Sequence, residues 1–267
     1  MRSWLQTIIL RNVPEFLQFV GLHRPLKRII RYLIEFRIPR VIPTIIRVLP
    51  HDPKAFTQGL AYHDGRLFES TGPIESSSLR ELSLTDGSTL RYVPVPGHHA
   101  EGLAVLNNTL YQLTWTSQKA FLYDVYTLER QDERAYEGEG WGLCMGNNSL
   151  LMSNGTSEIV FRNAGFKATA RIHVRSHGIP VRHINDIQQV GKFVYVNVLN
   201  IPSIYVISLE SGQLVGIVDC VRLLDQEEPN LTVPVLNGIA HCMERSTLFI
   251  TGKYLPRLYE IALPSWR

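Results

Sequence analysis

Five short motifs recur along this chain at a nearly fixed spacing, and each comes shortly before an apolar segment. Four consist of a polar or aromatic residue followed by Gly, and one ends in Asp: Gln58-Gly59, Glu101-Gly102, Trp141-Gly142, Asn185-Asp186 and Asn237-Gly238. The steps between successive motifs are 43, 40, 44 and 52 residues. Such a period is typical of β-propellers, in which each repeat forms one small sheet or blade. The repeat therefore predicts an all-β chain folded as a five-bladed β-propeller.

The segments between the motifs support four strands per blade. Short runs rich in Val, Ile, Leu, Tyr and Phe alternate with turn signals such as Asp86-Gly87 and Ser211-Gly212. The first four repeats contain four strand segments, whereas the last ends after a third, Leu258–Ile261. One unassigned strand, Thr44–Val48, precedes the first repeat. We expect these two strands to pair, because that would close the ring and remove its free edges.

Composition favours one folded domain over residues 44–267, since 45% of the 267 residues are apolar and 19% are charged. The net charge of +3 is uneven. Residues 1–43 contain eight Lys and Arg against Glu15 and Glu35, a net +6, which leaves −3 for the rest. The body therefore lacks the basic surface of a nucleic-acid-binding protein. Three cysteines, too few for a disulfide framework, allow at most one bridge.

The N-terminal segment, residues 1–43, carries the pattern of a basic amphipathic helix. Apolar residues recur at helical spacing with cations between them: Leu22, Leu26, Ile29, Ile30, Leu33 and Ile34, and Arg24, Lys27, Arg28 and Arg31. The apolar runs are too short to span a bilayer. We predict an interfacial contact with anionic lipid. Packing of the segment on the domain, or a poorly ordered extension, stays open as the alternative.

In a propeller the innermost strands run along a central channel, so the first residue of each motif should face one mouth of it. This first ring consists of Gln58, Glu101, Trp141, Asn185 and Asn237. A second ring follows at the ends of the second strands, thirteen positions after each motif, with a two-residue insertion in the last blade: Gly72, Trp115, Gly155, Leu199 and Lys253. We expect both rings to face the same opening.

Glu101 is the single carboxylate of the first ring, and Trp115 and Trp141 would desolvate it. Desolvation raises the pKa of a carboxyl group towards the range where it can both accept and donate protons near neutrality. Lys253 adds a cation that can stabilise a developing oxyanion. These residues suit proton transfer on a small neutral substrate or a peptide end, although a water-filled channel with a structural Glu fits them too. The histidines lack the spacing of a zinc site.

Further motifs strengthen one interpretation. They are His51-Asp52-Pro53, Ala55-Phe56-Thr57-Gln58-Gly59-Leu60, Glu69-Ser70-Thr71-Gly72, Leu113-Thr114-Trp115, Glu139-Gly140-Trp141-Gly142-Leu143, Leu236-Asn237-Gly238-Ile239-Ala240 and Thr251-Gly252-Lys253. In this order they resemble the plant-type glutaminyl-peptide cyclotransferases over nearly all of residues 45–263. That family is a five-bladed propeller that cyclises N-terminal Gln of peptides to pyroglutamate and releases ammonia, without zinc or another cofactor.

The resemblance implies that Glu101 is the general acid and base and that Lys253 gives electrostatic support. Pocket positions of the family, together with the ring, imply substrate contacts at Phe56, Gln58, Trp115, Trp141, Asn185 and Asn237. The implied partners are peptides or proteins that begin with Gln, and a monomer is expected. With the basic N-terminal segment, the resemblance favours a secretory, periplasmic or membrane-associated location over a cytoplasmic one.

Several positions depart from the family pattern. His99 and Leu199 stand where the family usually has Phe and a pocket Trp, and Asp186 stands where it has Glu. Loss of the two aromatic walls is expected to widen and wet the site. The alternative function is therefore a catalytically impaired propeller that binds a peptide or protein partner at the channel mouth. A calcium-dependent, lactonase-like propeller is disfavoured because the sequence lacks a cluster of inward carboxylates.

Overall fold

The computed structural model describes residues 23–147, 149–224 and 235–266. The chain divides into two compact units, Met1–Arg37 and Ile38–Arg267. In the first unit the described residues form one helix, α1 (His23–Glu35). Leu22 and the rest of residues 1–22 lie outside the described residues. Neither α1 nor any other described helix is long and apolar enough to cross a membrane.

An exposed apolar stripe runs along α1. Ile29, Tyr32, Leu33 and Phe36 are 54%, 63%, 37% and 42% exposed. Their i, i+3, i+4 and i+7 spacing places them on one side of a helix. Lys27 and Arg28 are exposed as well. The helix therefore presents apolar and cationic surface together.

The second unit is built from short strands. In chain order they are β1 (Arg40–Val41), β2 (Ile45–Pro50), β3 (Phe56–His63), β4 (Arg66–Gly72), β5 (Ser78–Leu82), β6 (Thr89–Pro94), β7 (Ala100–Leu106), β8 (Thr109–Thr114), β9 (Lys119–Asp124), β10 (Arg130–Ala135), β11 (Leu143–Met145), β12 (Leu150–Ser153), β13 (Glu158–Arg162), β14 (Ala168–His173), β15 (Arg175–Ser176), β16 (Ile179–Pro180), β17 (Ile184–Val190), β18 (Phe193–Val198), β19 (Ser203–Ser208), β20 (Leu214–Asp219), β21 (Val235–Cys242), β22 (Thr247–Lys253) and β23 (Arg257–Ala262). A short helix, α2 (Val221–Leu224), follows β20.

Within the described ranges these strands form five antiparallel blades, which confirms the predicted propeller. Blades 1 to 4 are β3–β6, β7–β10, β11–β14 and β17–β20, and blade 5 contains β21–β23. β1 adds a fifth, parallel strand to blade 4 at Ile217 and Val218. The small hairpin of β15 and β16 lies between blades 3 and 4 in the sequence.

The predicted closure of the ring is also confirmed. β2 pairs antiparallel with β23, from Ile45 opposite Ile261 to Pro50 opposite Arg257. Because β2 comes before blade 1 in the chain and completes blade 5, the two ends of the propeller are held together by backbone hydrogen bonds. This closure leaves the segment between β2 and β3 crossing from blade 5 to blade 1.

The repeated Gly allows the innermost strands to approach each other closely. A Cβ atom at Gly59 would lie 2.8 Å from Cα of Gly102 in the next blade, and one at Gly142 would lie 2.7 Å from Cα of Asp186. Real Cβ atoms essentially never approach that closely, so larger residues would force the blades apart. Away from the axis, buried apolar residues such as Phe68, Leu103 and Phe121 pack blade 1 against blade 2.

Candidate active site

The first-ring residues lie where the pairing of innermost strands is irregular. Register shifts occur between Thr57 and Gly59, Ala100 and Leu103, Ile184 and Ile187, and Leu236 and Ile239. Such β-bulges re-aim side chains at the rims of closed sheets. In blade 3 the motif Trp141-Gly142 comes directly before β11. The motif therefore marks a bulge or a strand start in every blade.

Three residues of the first ring form one chain of hydrogen bonds. Nε2 of Gln58 donates to Oε1 of Glu101 at 2.7 Å, and Nδ2 of Asn237 donates to Oε1 of Gln58 at 3.1 Å. Nδ2 of Asn237 also donates to the carbonyl of Thr57 at 3.1 Å. Nε2 of Gln58 lies 2.9 Å from Nε2 of His99. Since the amide nitrogen is the donor in that contact, Nε2 of His99 accepts and the imidazole is neutral.

Glu101 is a buried acid with little compensation for its charge. Its exposed fraction is 5%. Burial raises the pKa of Glu101 well above its ordinary value; the Lys253 cation opposes this rise, and Asp186 and Glu139 add to it. The ion pairs found among the described residues include none between Glu101 and Lys or Arg; only His99 approaches it, at 3.5 Å. A carboxyl group whose pKa is raised in this way can both accept and donate a proton during a reaction.

Lys253 lies at the end of β22 and is held against an aromatic ring. Its Nζ is 4.4 Å from the centroid of Phe56, and Tyr254 packs edge-on against the same ring at 5.3 Å. Burial lowers the pKa of Lys253, and the nearby Glu101 charge opposes that shift. The cation–π contact helps to stabilise the charged form in a partly desolvated position. Lys253 thus supplies a positive charge close to Glu101.

The two Trp residues are joined by an exposed carboxylate that the sequence analysis did not assign. Both Nε1 of Trp115 and Nε1 of Trp141 donate to Oε2 of Glu139 at 2.8 Å. A Cβ atom at Gly155 would lie 2.7 Å from the Trp141 ring, so the second-ring Gly leaves room for this indole. Trp115 is 40% exposed. The sequence signal that could have identified Glu139 is its place two residues before Trp141 in the same motif.

The site was expected to be wider at His99, but the His99 ring packs against two neighbouring aromatic side chains. Its ring packs edge-on against Phe56 and Trp115, with centroid distances of 6.0 and 5.6 Å. A Cβ atom at Gly72 would lie 2.8 Å from Cδ2 of His99. Burial lowers the pKa of His99, and the charge of Lys253 lowers it further. The neutral imidazole therefore takes the place of an aromatic ring at this rim.

Blade 4 contributes the least connected part of the first ring. Asn185 is 3% exposed, and its Oδ1 has no hydrogen-bond partner among the described residues. Its backbone carbonyl accepts from Oγ of Ser153 at 2.6 Å. Leu199 follows β18, where its amide donates to the carbonyl of His183 at 3.0 Å. The side-chain hydrogen bonds at Glu101 therefore join Gln58, Glu101 and Asn237, and the chain reaches blade 4 only at the backbone amide of Asp186, which donates to Oδ1 of Asn237 at 3.4 Å.

Asp186 occupies the position that is Gly in the other blades, and it is a second buried acid near the channel. Its Oδ2 accepts from the amides of Ile239 at 2.8 Å and Leu60 at 3.4 Å, in blades 5 and 1. Burial raises the pKa of Asp186 to about 8, although these backbone hydrogen bonds oppose the rise. Asp186 therefore links three blades across the axis.

The other reactive side chains lie apart from this site. Within the described ranges, no three His, Cys, Asp or Glu residues are arranged so that they could hold a metal ion. His98 instead approaches Oγ of Ser117 at 2.9 Å. Cys144, Cys220 and Cys242 are buried free thiols.

Comparisons with known proteins agree with this geometry. A family model described as glutamine cyclotransferase matches residues 30–263. Glutaminyl-peptide cyclotransferase of Arabidopsis thaliana is 34% identical over 225 residues, which cover 82% of this chain and 70% of the relative. The crystal structure of Myxococcus xanthus glutaminyl cyclase superposes with a TM-score of 0.78 at 36% identity, covering 84% of this chain and 97% of that one.

A more distant match concerns the fold alone. The structure of U3-55K superposes with a TM-score of 0.52 at 11% identity, covering 83% of this chain and all of that one. The family model, by contrast, spans almost the whole propeller, and both closer relatives carry the same kind of name. This chain belongs to the glutamine cyclotransferase family.

Proposed function

We propose that this chain is a glutaminyl-peptide cyclotransferase, which converts the N-terminal Gln of peptides or proteins to pyroglutamate and releases ammonia. The observation that carries the proposal is Glu101, a buried acid with a raised pKa that is hydrogen-bonded to Gln58. The names of the two closer relatives support the same activity.

In the proposed reaction the substrate's α-amino nitrogen attacks the carbonyl carbon of its own side-chain amide. Glu101 accepts the proton that this nitrogen loses as the new C–N bond forms. It then donates the proton to the departing nitrogen, so that the old C–N bond breaks and ammonia leaves. Because one group must act first as base and then as acid, a raised pKa of Glu101 suits both steps.

The neighbouring residues are assigned supporting roles. Lys253 stabilises the oxyanion that develops on the attacked carbonyl, since its charge lies in a partly desolvated site. Gln58 and Asn237 hold Glu101 in one orientation and leave its carboxyl aimed at the reacting atoms. Asn185 offers its unpartnered Oδ1 to the substrate's amine or amide N–H. Phe56, Trp115 and Trp141 form walls that favour the folded-back Gln over an extended one.

Incubation with a peptide that begins with Gln tests the activity, with the mass loss of ammonia as the readout. The wild type should cyclise the peptide, and Glu101→Gln should not. Glu81→Gln is a matched control, because Glu81 is also a buried acid but lies on β5 and pairs with Arg66 of β4 and Arg91 of β6. Equal rates for the wild type and Glu101→Gln would remove Glu101 from the mechanism.

A second candidate is a propeller that binds a peptide or protein partner at this mouth without turning it over. It is favoured by Leu199, which stands where the family has a pocket Trp. Recovery of the Gln peptide unchanged, with binding that Trp141→Ala abolishes, would support this candidate. Rapid cyclisation would exclude it.

We further propose that residues 1–43 contact an anionic membrane surface and that residues 44–267 act as a monomeric catalytic domain. The exposed stripe of α1 with Lys27 and Arg28 beside it supports the lipid contact. Flotation with phosphatidylserine vesicles should recover the full chain and not the chain lacking residues 1–43. Light scattering at the mass of one chain tests the monomer.

A further inference from the structure

A buried ion pair lies beside the candidate active site at the junction of blades 5 and 1. Nε2 of His51 is 2.8 Å from Oε1 of Glu69, and the two side chains are 1% and 0% exposed. His51 lies in the segment that leads from β2 to β3, and Glu69 lies in β4. The proposed chemistry uses neither residue.

Both ring nitrogens of His51 face hydrogen-bond acceptors. Nδ1 lies 2.6 Å from the carbonyl oxygen of Leu255, and Nε2 faces the Glu69 carboxylate. A carbonyl and a carboxylate can only accept, so both nitrogens must carry hydrogen. Burial alone would lower the pKa of His51, but the Glu69 charge and the hydrogen bonds to Glu69 and Leu255 raise it overall. The two acceptors that face its ring therefore identify His51 as an imidazolium.

The other charged groups around the pair are few. Arg80 on β5 lies 3.8 Å from Oε2 of Glu69 and 2.9 Å from Oδ2 of Asp52, which neighbours His51 in the chain. Burial would raise the pKa of Glu69, yet His51, Thr57 and Arg80 together lower it. The pair is thus ionised on both sides, and it is costly to disturb because neither charge can reach water.

On one side the pair fixes the turn that carries Lys253 and Tyr254. The imidazolium donates to Leu255, and the His51 amide donates to the carbonyl of Pro256 at 2.9 Å. The amide of Tyr254 donates to the carbonyl of Ala55 at 2.7 Å in the same crossing segment. These contacts hold the turn next to Phe56, whose ring is covered by Lys253 and Tyr254.

On the other side the pair reaches the strand that carries Gln58. Oγ1 of Thr57 donates to Oε1 of Glu69 at 2.6 Å, the same oxygen that faces His51. Thr57 directly precedes the bulge at which Gln58 turns towards Glu101. One carboxylate oxygen therefore connects the Lys253 side of the site with the Gln58 side.

We propose that His51 and Glu69 are positioning residues, which form a brace that holds Lys253 and Gln58 in place on either side of Glu101. The expected effect of the brace on turnover rests on the proposed function. Its expected effect on the position of Lys253 does not. A displacement of about 1 Å at a reacting group can lower a rate by up to about a hundredfold. Loss of the brace should therefore lower turnover without removing any group that touches substrate.

The experiment compares three variants of the full chain. Glu69→Gln removes the carboxylate from the brace. Thr57→Val keeps the ion pair and the side-chain shape, but breaks the link to the Gln58 strand. Glu81→Gln is the matched control, a buried acid of the same blade whose partners Arg66 and Arg91 lie outside the brace.

We expect Glu69→Gln and Thr57→Val to lower kcat/KM for a Gln peptide by about tenfold or more, and Glu81→Gln to leave it near wild type. In Glu69→Gln the pKa of His51 falls, because the charge that raises it is gone. Thr57→Val keeps the His51–Glu69 pair and that charge. If Thr57→Val had the kcat/KM of the wild type, the proposal that the brace holds the Gln58 strand in place would be overturned.

A second readout does not need turnover. Acetylation of Lys253 by acetic anhydride, followed by mass spectrometry, reports how firmly this amine is held. We expect several-fold faster acetylation in Glu69→Gln than in Glu81→Gln, whether or not the wild type cyclises peptides. Equal acetylation in these two variants would overturn the brace, whereas failure of wild-type cyclisation would overturn only the proposed function.

Discussion

Glu69 and Glu101 lie in neighbouring blades and are both almost fully buried, yet their ionisation is shifted in opposite directions. The pKa of Glu69 is lowered, and the pKa of Glu101 is raised. Burial disfavours the charged form of each. The difference lies in their partners: Glu69 faces the His51 imidazolium at 2.8 Å, whereas Glu101 faces the neutral amide of Gln58 at 2.7 Å.

The comparison separates a structural acid from a chemical one. A carboxylate that is paired with a cation, as Glu69 is, holds its proton poorly and has a fixed charge that organises its surroundings. Glu101 has its cation, Lys253, close enough to oppose the shift in pKa but not close enough to pair. An acid that is buried, orientated and incompletely compensated is the kind of group that active sites use for proton transfer.

Glu101→Gln removes the carboxyl group whose raised pKa distinguishes Glu101 from Glu69. We expect the cyclisation rate to fall by about 10²- to 10⁴-fold, because an amide cannot accept the proton of the attacking amine. The free energy of unfolding should not fall. The amide oxygen introduced at this position can still accept the hydrogen bond from Gln58, and the amide has no ionised form that burial would disfavour. Single-turnover mass spectrometry and urea unfolding at neutral pH measure the two effects.

Glu101→Asp is the companion variant. It keeps the carboxyl group but withdraws it by one methylene, so we expect a rate between those of the wild type and Glu101→Gln. If Glu101→Asp were as active as the wild type, close placement of the carboxyl would not matter.

Glu69→Gln should affect stability first. It leaves the His51 imidazolium buried without its counter-charge, and breaking a buried pair in this way destabilises a fold by about 3–5 kcal/mol. The pH dependence should change as well. Because the pKa of Glu69 is lowered from an ordinary value of 4.5, its contribution is present above that value and is lost as the pH falls through the folded-state pKa.

Urea unfolding over a range of acidic pH measures both parts of this prediction. The wild type should lose stability on acidification more steeply than Glu69→Gln, which has nothing to protonate at this position. A Glu69→Gln variant as stable as the wild type, with an unchanged acid slope, would contradict the assignment of Glu69 as a paired structural acid.

Lys253→Met tests how the charge of Lys253 affects Glu101 and the reaction. We expect the rate to fall by about 10²- to 10³-fold, the usual effect of removing one group that stabilises an oxyanion. The pKa of Glu101 should rise further, because the Lys253 cation opposes its rise in the wild type. The acid limb of the pH–rate profile should therefore move to higher pH.

Lys253→Arg is the control for charge. It keeps a cation at this position and should leave the acid limb close to that of the wild type, even if the rate falls because the guanidinium is larger. An acid limb that does not move in Lys253→Met would show that Lys253 and Glu101 do not interact.

Much of this architecture follows from sequence periodicity. The five motifs predicted the blades because each Gly is needed where innermost strands meet, as Gly59 and Gly142 illustrate. The unassigned strand before the first repeat predicted closure, because a free edge had to be paired. The ring that contains Gln58 and Glu101 followed from the same register.

The parts that periodicity missed are contacts between side chains far apart in the chain. His51 and Leu255 are separated by 204 positions, and their contact depends on how the ring closes. The sharing of Glu139 by two indoles depends on rotamers that no repeat encodes. His99 was expected to open the site, but an imidazole can still pack edge-on against Phe56.

Asp186→Asn has the smallest expected effect and compares Asp186 with Glu101, the two buried acids near the channel. The pKa values of Asp186 and Glu101 are both raised, and the Asp186 charge contributes to the rise at Glu101. Removing the Asp186 charge should therefore lower the pKa of Glu101 and move the acid limb to lower pH, by less than about one unit. This shift is opposite in sign to that of Lys253→Met.

Stability gives an independent check on the same variant. The pKa of Asp186 is raised from 3.8 to about 8, so the folded wild type binds a proton that the unfolded chain has already lost. Wild-type stability should consequently decline as the pH rises between these values, and the decline should be smaller in Asp186→Asn. An acid limb that moved upward in this variant, or an unchanged decline in stability, would contradict a buried Asp186 coupled to Glu101. Agreement of both measurements would mean that Asp186, in place of the Gly of the other blades, tunes the Glu101 carboxyl from across the channel axis.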